Sequence, residues 1–327
     1  MMHFDSTVRC GLSLPLLLLL LCISVSAVAQ NDALSGPGRR QSLDGERVVV
    51  NSDLISFNVT VIDHYGRAIP GLKKSDFKIL DDKREVNITS FSEDDTPVSL
   101  GIVFDLTGSM SGEKIARATK ALSHFLELSH KDDEYSLIGI QGGRIDLLLD
   151  RMRDGEALLN TISTARANGT TPFFDACYLG VEKVMRGAHP KRALLVISDG
   201  QDNNSRYKFK ELHQLLEESD VIVYAIGIVS GTTGADRAGQ VNLQEIAEAS
   251  GGKAFFPYNS NDMESAFDKI AIELRRQYTV GYRPANFAPD RRWHTLKVKV
   301  AKPPGIRKIT VRTRPGYYAQ PRAPLPQ

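Results

Sequence analysis

"VFDLTGSMSG", Val103 to Gly112, is the stretch whose reading decides the fold. An apolar run stops at an aspartate, hydroxyl residues follow at Thr107 and Ser109, and Gly108 and Gly112 allow a tight turn before a helical pattern begins. Such a string can hold a metal ion, carry a phosphoryl group or cap a helix. Taken alone it favours none of these, because Asp, Ser and Thr are the ordinary residues of a helix N-terminus.

The neighbouring sequence repeats the same change from apolar strand to helix. "SLGIVFD" reads as a buried strand, and Glu113 to Leu128 as an amphipathic helix with Ile115, Ala118, Leu122 and Phe125 on one face. "YSLIGIQ" and "RIDLLLD" form a strand pair around Gly142-Gly143, and two helices follow. Next come "RALLVISD", a helix over Lys208 to Glu218, "VIVYAIGI", a helix over Asn242 to Ser250, "KAFFPY", and a helix over Asp262 to Arg276 that buries Met263, Phe267, Ile270 and Leu274. Apolar strands joined through helices predict an α/β fold with a doubly wound, mostly parallel sheet covered on both faces. Ligands of such sheets bind beyond the carboxyl ends of the strands. Asp105 and Asp199 both end apolar strands, so they share a rim if those strands are neighbours.

The flanks differ in character. "VVVNSDLISFNVTVID" and "DFKILDDKREVNITSF" before the α/β part, and "QYTVGYRP", "WHTLKVKVA" and "RKITVRTRPGYY" after it, are β-rich and broken by turn residues. They predict a small β-sandwich-like module built from both segments. Lys297, Lys299, Arg312 and Arg314 alternate with apolar residues and read as a solvated strand face. At the amino end, Arg9, the apolar run "LSLPLLLLLLCISVSAV" and "AVA" at Ala27–Ala29 predict a signal peptide cut before Gln30, hence a secreted or periplasmic protein. The run is short for a spanning helix, and the leucines before Cys22 argue against lipidation. The expected organisation is 1–29 signal peptide, 30–46 linker, 47–96 β segment, 97–276 α/β domain, 277–318 β segment and 319–327 Pro-rich tail.

Composition is that of a globular protein: 327 residues, 42% hydrophobic and 24% charged, with a net charge of +2 that calls for neither nucleic acid nor a membrane surface. Without the signal, Cys177 is the one cysteine left, so no internal disulfide is expected and Cys177 reads as a small buried hydrophobe. The histidines are scattered, and His124 and His130 do not share a helical face, which argues against a zinc site.

Three separated elements offer oxygen donors: Asp105, Thr107 and Ser109 in "DLTGS", Thr170 or Thr171 in "NGTTPFFDA", and Asp199 in "SDGQDNNS". Carboxylates and hydroxyls suit a hard cation, Mg²⁺ first, with Mn²⁺ or Ca²⁺ as substitutes. This pattern resembles the von Willebrand factor type A domain, whose metal-ion-dependent adhesion site has the form Asp-x-Ser-x-Ser, then a Thr, then an Asp followed by Gly. The matching residues are Asp105, Thr107, Ser109, Thr171 and Asp199, with Thr107 where the family usually has serine. The resemblance covers Pro97 to Arg276 and implies one antiparallel edge strand. With "GLKKSDFKILDD", "YTVGYRP" and "VRTRPGYY", the flanks resemble bacterial secreted VWFA-related proteins. The resemblance implies binding rather than turnover: a metal coordination position is left for an Asp or Glu of a protein partner. "DLTGS" also resembles the Asp-Lys-Thr-Gly-Thr motif of haloacid-dehalogenase-like phosphotransferases, but the second carboxylate of their soluble phosphatases is replaced here by Thr107. Asp175 is expected to cap its own helix or tie down the threonine loop, and Asp202, Asn203 and Asn204 to form a polar loop beside the site.

Overall fold

The computed structural model describes residues 54–319 except 111, 166–167, 229–230, 232 and 285–288. The expected signal peptide, the linker and nearly all of the Pro-rich tail lie outside the described residues. In chain order, the first β-rich segment gives β1 (Ile55–Asp63), β2 (Phe77–Asp81), β3 (Arg84–Val86) and β4 (Ile88–Ser92). The α/β part gives β5 (Val98–Asp105), α1 (Glu113–Glu127), β6 (Glu134–Gln141), β7 (Arg144–Met152), α2 (Gly155–Thr164) and α3 (Phe173–Met185). It continues with β8 (Lys191–Ser198), α4 (Phe209–Glu218), β9 (Ile222–Gly227), α5 (Gly234–Ala249), β10 (Lys253–Phe255) and α6 (Ser260–Arg275). The last segment holds β11 (Tyr278–Tyr282), β12 (Trp293–Val300), β13 (Ile309–Arg312) and β14 (Gly316–Tyr318).

The central sheet has the order β10-β9-β8-β5-β6-β7. All its pairings are parallel except β6–β7, which is the predicted antiparallel edge. Every residue of β5 is buried, as a strand covered on both faces requires. Successive side chains serve opposite cores: Leu100, Ile102 and Phe104 pack with Leu122 and Phe125 of α1 and Phe267 and Ile270 of α6, whereas Val103 packs with Phe173 and Val181 of α3 and Leu243 of α5. Each such side chain contributes roughly 1.5–3 kcal/mol by leaving water. The sheet's carboxyl rim is therefore held from both sides.

The flanking segments interleave. One four-stranded sheet has the order β13-β1-β11-β4 and the other β14-β12-β2-β3, so each contains strands from both ends of the chain. Their shared core includes Phe57, Val59, Ile79, Tyr278, Val280 and Leu296. Because β4 pairs antiparallel with β11, the chain leaves for the α/β part and returns from it on adjacent strands.

Two expectations need correction. Helix α5 begins at Gly234, eight residues before the predicted start; Thr233 caps it, accepting from the Asp236 N–H at 3.2 Å while Asp236 accepts from the Thr233 N–H at 2.9 Å. Glycines at 234 and 239 break the helical pattern in the sequence. Lys297 and Lys299 do face solvent, but Arg312 and Arg314 do not. Arg312 pairs with Glu273 of α6 and Arg314 with Asp220, each guanidinium being about 15% exposed. Period-two alternation assigns a face to β13; it does not say that the α/β part covers that face. No described helix is long and apolar enough to cross a membrane.

Candidate metal centre

Strands β5 and β8 are hydrogen-bonded neighbours, with Phe104 opposite Ile197, so Asp105 and Asp199 do share the carboxyl rim of the sheet. Asp105 is fully buried and both its oxygens are engaged. Oδ1 accepts from the Thr107 N–H at 3.0 Å and the Thr107 hydroxyl at 2.7 Å, and Oδ2 accepts from the Ser198 hydroxyl at 2.7 Å. Thr107 Oγ1 lies 3.3 Å from Ser109 Oγ and 3.3 Å from Thr171 Oγ1. Three hydroxyl oxygens thus run in sequence across the mouth above Asp105. Thr107, Thr171 and Asp199 are buried and Ser109 is exposed, so the group opens to solvent on the serine side. The Asp199 carboxylate accepts from the Gln201 N–H at 3.0 Å.

Gly200 sets the turn that presents Asp199. Its φ is +76°, and a Cβ there would stand 2.2 Å from the Gly239 carbonyl oxygen. Gly239 is required reciprocally, since a Cβ on it would stand 2.2 Å from the Asp199 carbonyl. This close approach explains a glycine inside α5. Asn242 of the same helix donates to the Gly200 carbonyl at 2.9 Å.

The threonine loop and the Asp199 loop are laced together by residues that the sequence reading left as a plain polar loop. Asn203 Oδ1 accepts from the Thr171 N–H at 2.8 Å, and the Asn203 N–H donates to the Thr171 carbonyl at 3.1 Å. Asp202 caps α3 from across the gap, accepting from the Phe173 N–H at 2.9 Å. Asp175 therefore does not cap its helix. It is buried within α3, accepts from the Tyr207 N–H at 2.7 Å and pairs with Arg206 at 3.3 Å, fixing the far end of the Asp199 loop. Thr171, and not Thr170, has its hydroxyl in the group.

Electrostatically, the cation nearest the centre among the described contacts is Lys114, whose ammonium donates to the Ser109 carbonyl at 2.5 Å and not to a carboxylate. Burial, opposed by hydrogen bonds from Ser198 and Thr107 and reinforced by the charge of Asp199, pushes the Asp105 carboxyl above its ordinary value. Among the described residues no lysine or arginine pairs with Asp105 or Asp199. Two buried carboxylates without a cation are costly unless something positive joins them. The donors are all oxygen, as a hard cation requires, and the 3.3 Å spacing of the hydroxyls is close to the roughly 3 Å edge of an octahedron with Mg–O bonds of about 2.1 Å. The residues present therefore fit a divalent cation.

A second group of ligand-type side chains was not anticipated. Asp81, Asp82 and His294 bring one donor atom each within 4.8 Å of one another. Here part of the charge is met from within, although Asp81 Oδ1 is buried without a hydrogen-bond partner among the described residues. His294 Nδ1 is 2.9 Å from Asp82 Oδ2 and its Nε2 is 3.3 Å from Asp290 Oδ1, while Asp81 Oδ2 accepts from the hydroxyls of Tyr282 at 2.8 Å and Tyr317 at 2.9 Å. Burial lowers the pKa of His294, but the hydrogen bonds and charges of Asp290 and Asp82 outweigh it and raise the value overall. The aspartates lie at the β2–β3 turn and the histidine more than 200 residues later on β12, so nothing local in the sequence links them. The expectation of no histidine-containing metal-ligand group was thus incomplete: the group it missed has internal proton donors on Asp82 and on Asp81 Oδ2, and none on Asp81 Oδ1.

A family model described as the von Willebrand factor type A domain matches residues 100–270. A curated protein of Synechocystis sp., described as uncharacterized protein sll0103, is 21% identical over 225 residues, covering 67% of this chain and 51% of that protein. The chain thus spans about half the length of the curated relative it matches. Among solved structures, proximal thread matrix protein 1 from the mussel byssus, with a zinc-occupied MIDAS motif, aligns at 14% identity and a TM-score of 0.49 over 59% of this chain and 49% of that one. BatB from Bacteroides thetaiotaomicron aligns at 20% identity and a TM-score of 0.43, over 53% of this chain and 97% of its own.

Proposed function

The chain belongs to the von Willebrand factor type A domain family, and on that premise we propose that it is a non-enzymatic protein-binding module whose Asp105 centre takes up Mg²⁺. In this reading Ser109, Thr107 and Thr171 offer the metal their hydroxyls, and Asp105 and Asp199 supply charge. Mn²⁺ or Ca²⁺ would substitute. The cation, when bound, supplies an electrophilic coordination position for an Asp or Glu carboxylate of a partner protein. The resulting contact is charge-assisted and directional, and it adds specificity to an interface. The observation that carries this reading is the pair of buried carboxylates beside three neighbouring hydroxyls, with no described cation paired to either carboxylate.

The chain's own residues do the positioning. Ser198 and the Thr107 backbone orient the Asp105 carboxylate, and Asn203 ties Thr171 to the Asp199 loop. These contacts favour binding over phosphoryl transfer, since a nucleophilic aspartate needs a free oxygen facing the phosphorus, and Asp105 is 0% exposed with both oxygens engaged. Residues 97–276 form the binding domain, carried on a module made by 47–96 and 277–318, and the leader over 1–29 routes the chain to the periplasm or outside the cell.

Calorimetric titration of Mg²⁺ and Mn²⁺ into metal-free protein tests the centre. Saturable binding that Asp105→Ala removes is the expected result; no binding, or binding that survives the substitution, overturns it. Capture of partners with and without chelator, repeated with Asp199→Ala, then tests the use of the centre. Capture indifferent to both would leave the domain as a scaffold.

A further inference from the structure

Helices α3 and α4 pack side by side, with the rings of Phe174 and Phe209 in edge contact at 6.0 Å between centroids. On the same seam Tyr178 of α3 and Tyr207, two residues ahead of α4, lie face to face, 4.0 Å apart at an interplanar angle of 11°. Tyr207 is 36% exposed, so the stack opens to solvent. Glu182 stands one turn along α3 from Tyr178, and Glu211 and Glu218 lie two turns apart on one face of α4. Burial, then Tyr207, then the charges of Glu182, Glu218 and Glu211 push the Tyr178 phenol above its ordinary value, so all three carboxylates gather about the stacked pair.

These carboxylates have no ion-pair partner among the described residues. Glu211 accepts from the Lys208 N–H at 2.8 Å and Glu218 from the Gln214 side-chain amide at 2.9 Å, both neutral donors. Lys183 is spent on Asp150 at 3.0 Å and Arg206 on Asp175 at 3.3 Å, while Lys208 and Lys210 make no described ion pair with any of the three. An open aromatic face ringed by unpaired carboxylates is a receptor for a cation.

We propose that this seam is a docking surface for an arginine-bearing segment of a partner protein. Tyr178 occupies one face of the Tyr207 ring, and the guanidinium stacks on the other with its N–H groups directed to the glutamates. Arginine fits better than lysine, because a planar guanidinium stacks on an aromatic face and donates in several directions at once, whereas an ammonium is a strongly hydrated point charge. Met185, two turns along α3 from Tyr178 and 38% exposed, adds apolar surface for the rest of the segment. The metal centre asks for an acidic group and the seam for a basic one, so the two sites take different ligands.

The probe is a fluorescent peptide of eight arginines, titrated with the purified protein in the presence of chelator and followed by anisotropy, with an eight-lysine peptide beside it. Chelator makes the outcome independent of the Asp105 centre. The variants are Tyr207→Leu, Glu211→Gln, Glu218→Gln and, as a control, Glu127→Gln on α1, whose side chain is 74% exposed. Saturable binding is expected, weakened at least about threefold by each of the first three substitutions and unchanged by the control, with arginine bound at least about threefold tighter than lysine. The two glutamine variants remove only surface charge, and thermal melting checks that they fold as wild type does. No saturable binding up to about 1 mM protein overturns the proposal, as does binding that all three variants retain. Equal affinity for the two peptides removes the stacking and overturns it as well. Arg322→Gln, in the Pro-rich tail, is expected to leave the affinity unchanged; tightening by about tenfold would assign the seam to the chain's own tail and overturn a separate partner.

Discussion

Asp105 and Asp82 stand in two carboxylate groups built on opposite principles. Around Asp105 the partners are neutral hydroxyls and amides, the site is buried, and the second carboxylate raises the cost of the first. Around Asp82 a histidine lies between two carboxylates and two tyrosines serve the neighbouring Asp81, at a half-exposed hairpin end. A count of metal-ligating side chains picks out the second group, with three residues of the usual types. Burial and the convergence of neutral hydroxyls over two carboxylates pick out the first. An acidic group asks for an external cation when its surroundings withhold both water and an internal one.

The sharpest way to break this comparison is to remove each group and titrate metal. Asp105→Ala is expected to weaken Mg²⁺ binding by about 100-fold or more, while His294→Gln leaves it within about twofold. The reverse ranking in calorimetry would move the cation site to the hairpin. Gly200→Ala comes next. A Cβ at φ +76° and 2.2 Å from the Gly239 oxygen is expected to cost about 3 kcal/mol in urea unfolding and to misplace Asp199.

The His294 clasp should show itself through pH. Its raised pKa means that its stabilisation is present in full below the unfolded value near 6.5 and is lost as pH rises through the folded value. Asp82, held down by the Thr295 backbone hydrogen bond, and Asp290, held down by that of Arg292, have lowered values, so the contribution fades again in acid below about 3.8. Solvent screens the pair, so His294→Gln is expected to cost only about 0.5 kcal/mol near pH 6 and almost nothing at pH 9, measured by unfolding at both. The smallest effect is Thr107→Ser, which keeps the hydroxyl and restores the more usual residue; Mg²⁺ affinity should stay within about threefold.

What could be read from the sequence follows the range of each interaction. Strand β5 and the helix after it are written in consecutive residues, and periodicity alone recovers them within a residue or two. Asp105, Thr107 and Ser109 share one loop, so their grouping needed only that strand end; Asp199 needed β5 and β8 to be neighbours, which apolar strands joined through helices imply. The lacing by Asp202 and Asn203 was hidden because an aspartate that caps a helix some 30 residues upstream looks like any loop aspartate. The early start of α5 was masked by Gly239, a residue chosen for the Asp199 carbonyl rather than for the helix. Arg312 and Arg314 were misplaced because alternation knows a strand's two faces and not its neighbours. His294 and Asp82 meet only through a hairpin and a strand from opposite ends of the chain.

The interleaving of the flanking strands also governs how the molecule bears load. Tension entering at Leu54 and leaving at Ala319 is taken up by the sandwich, through the β1–β13 ladder and the β12–β14 pair. Everything between β4 and β11 hangs off that path as a side branch, with its two ends clamped on adjacent strands. In a pulling experiment the sandwich is therefore expected to open first, with load reaching the α/β part sideways, through the Arg312–Glu273 and Arg314–Asp220 pairs, rather than along its own backbone.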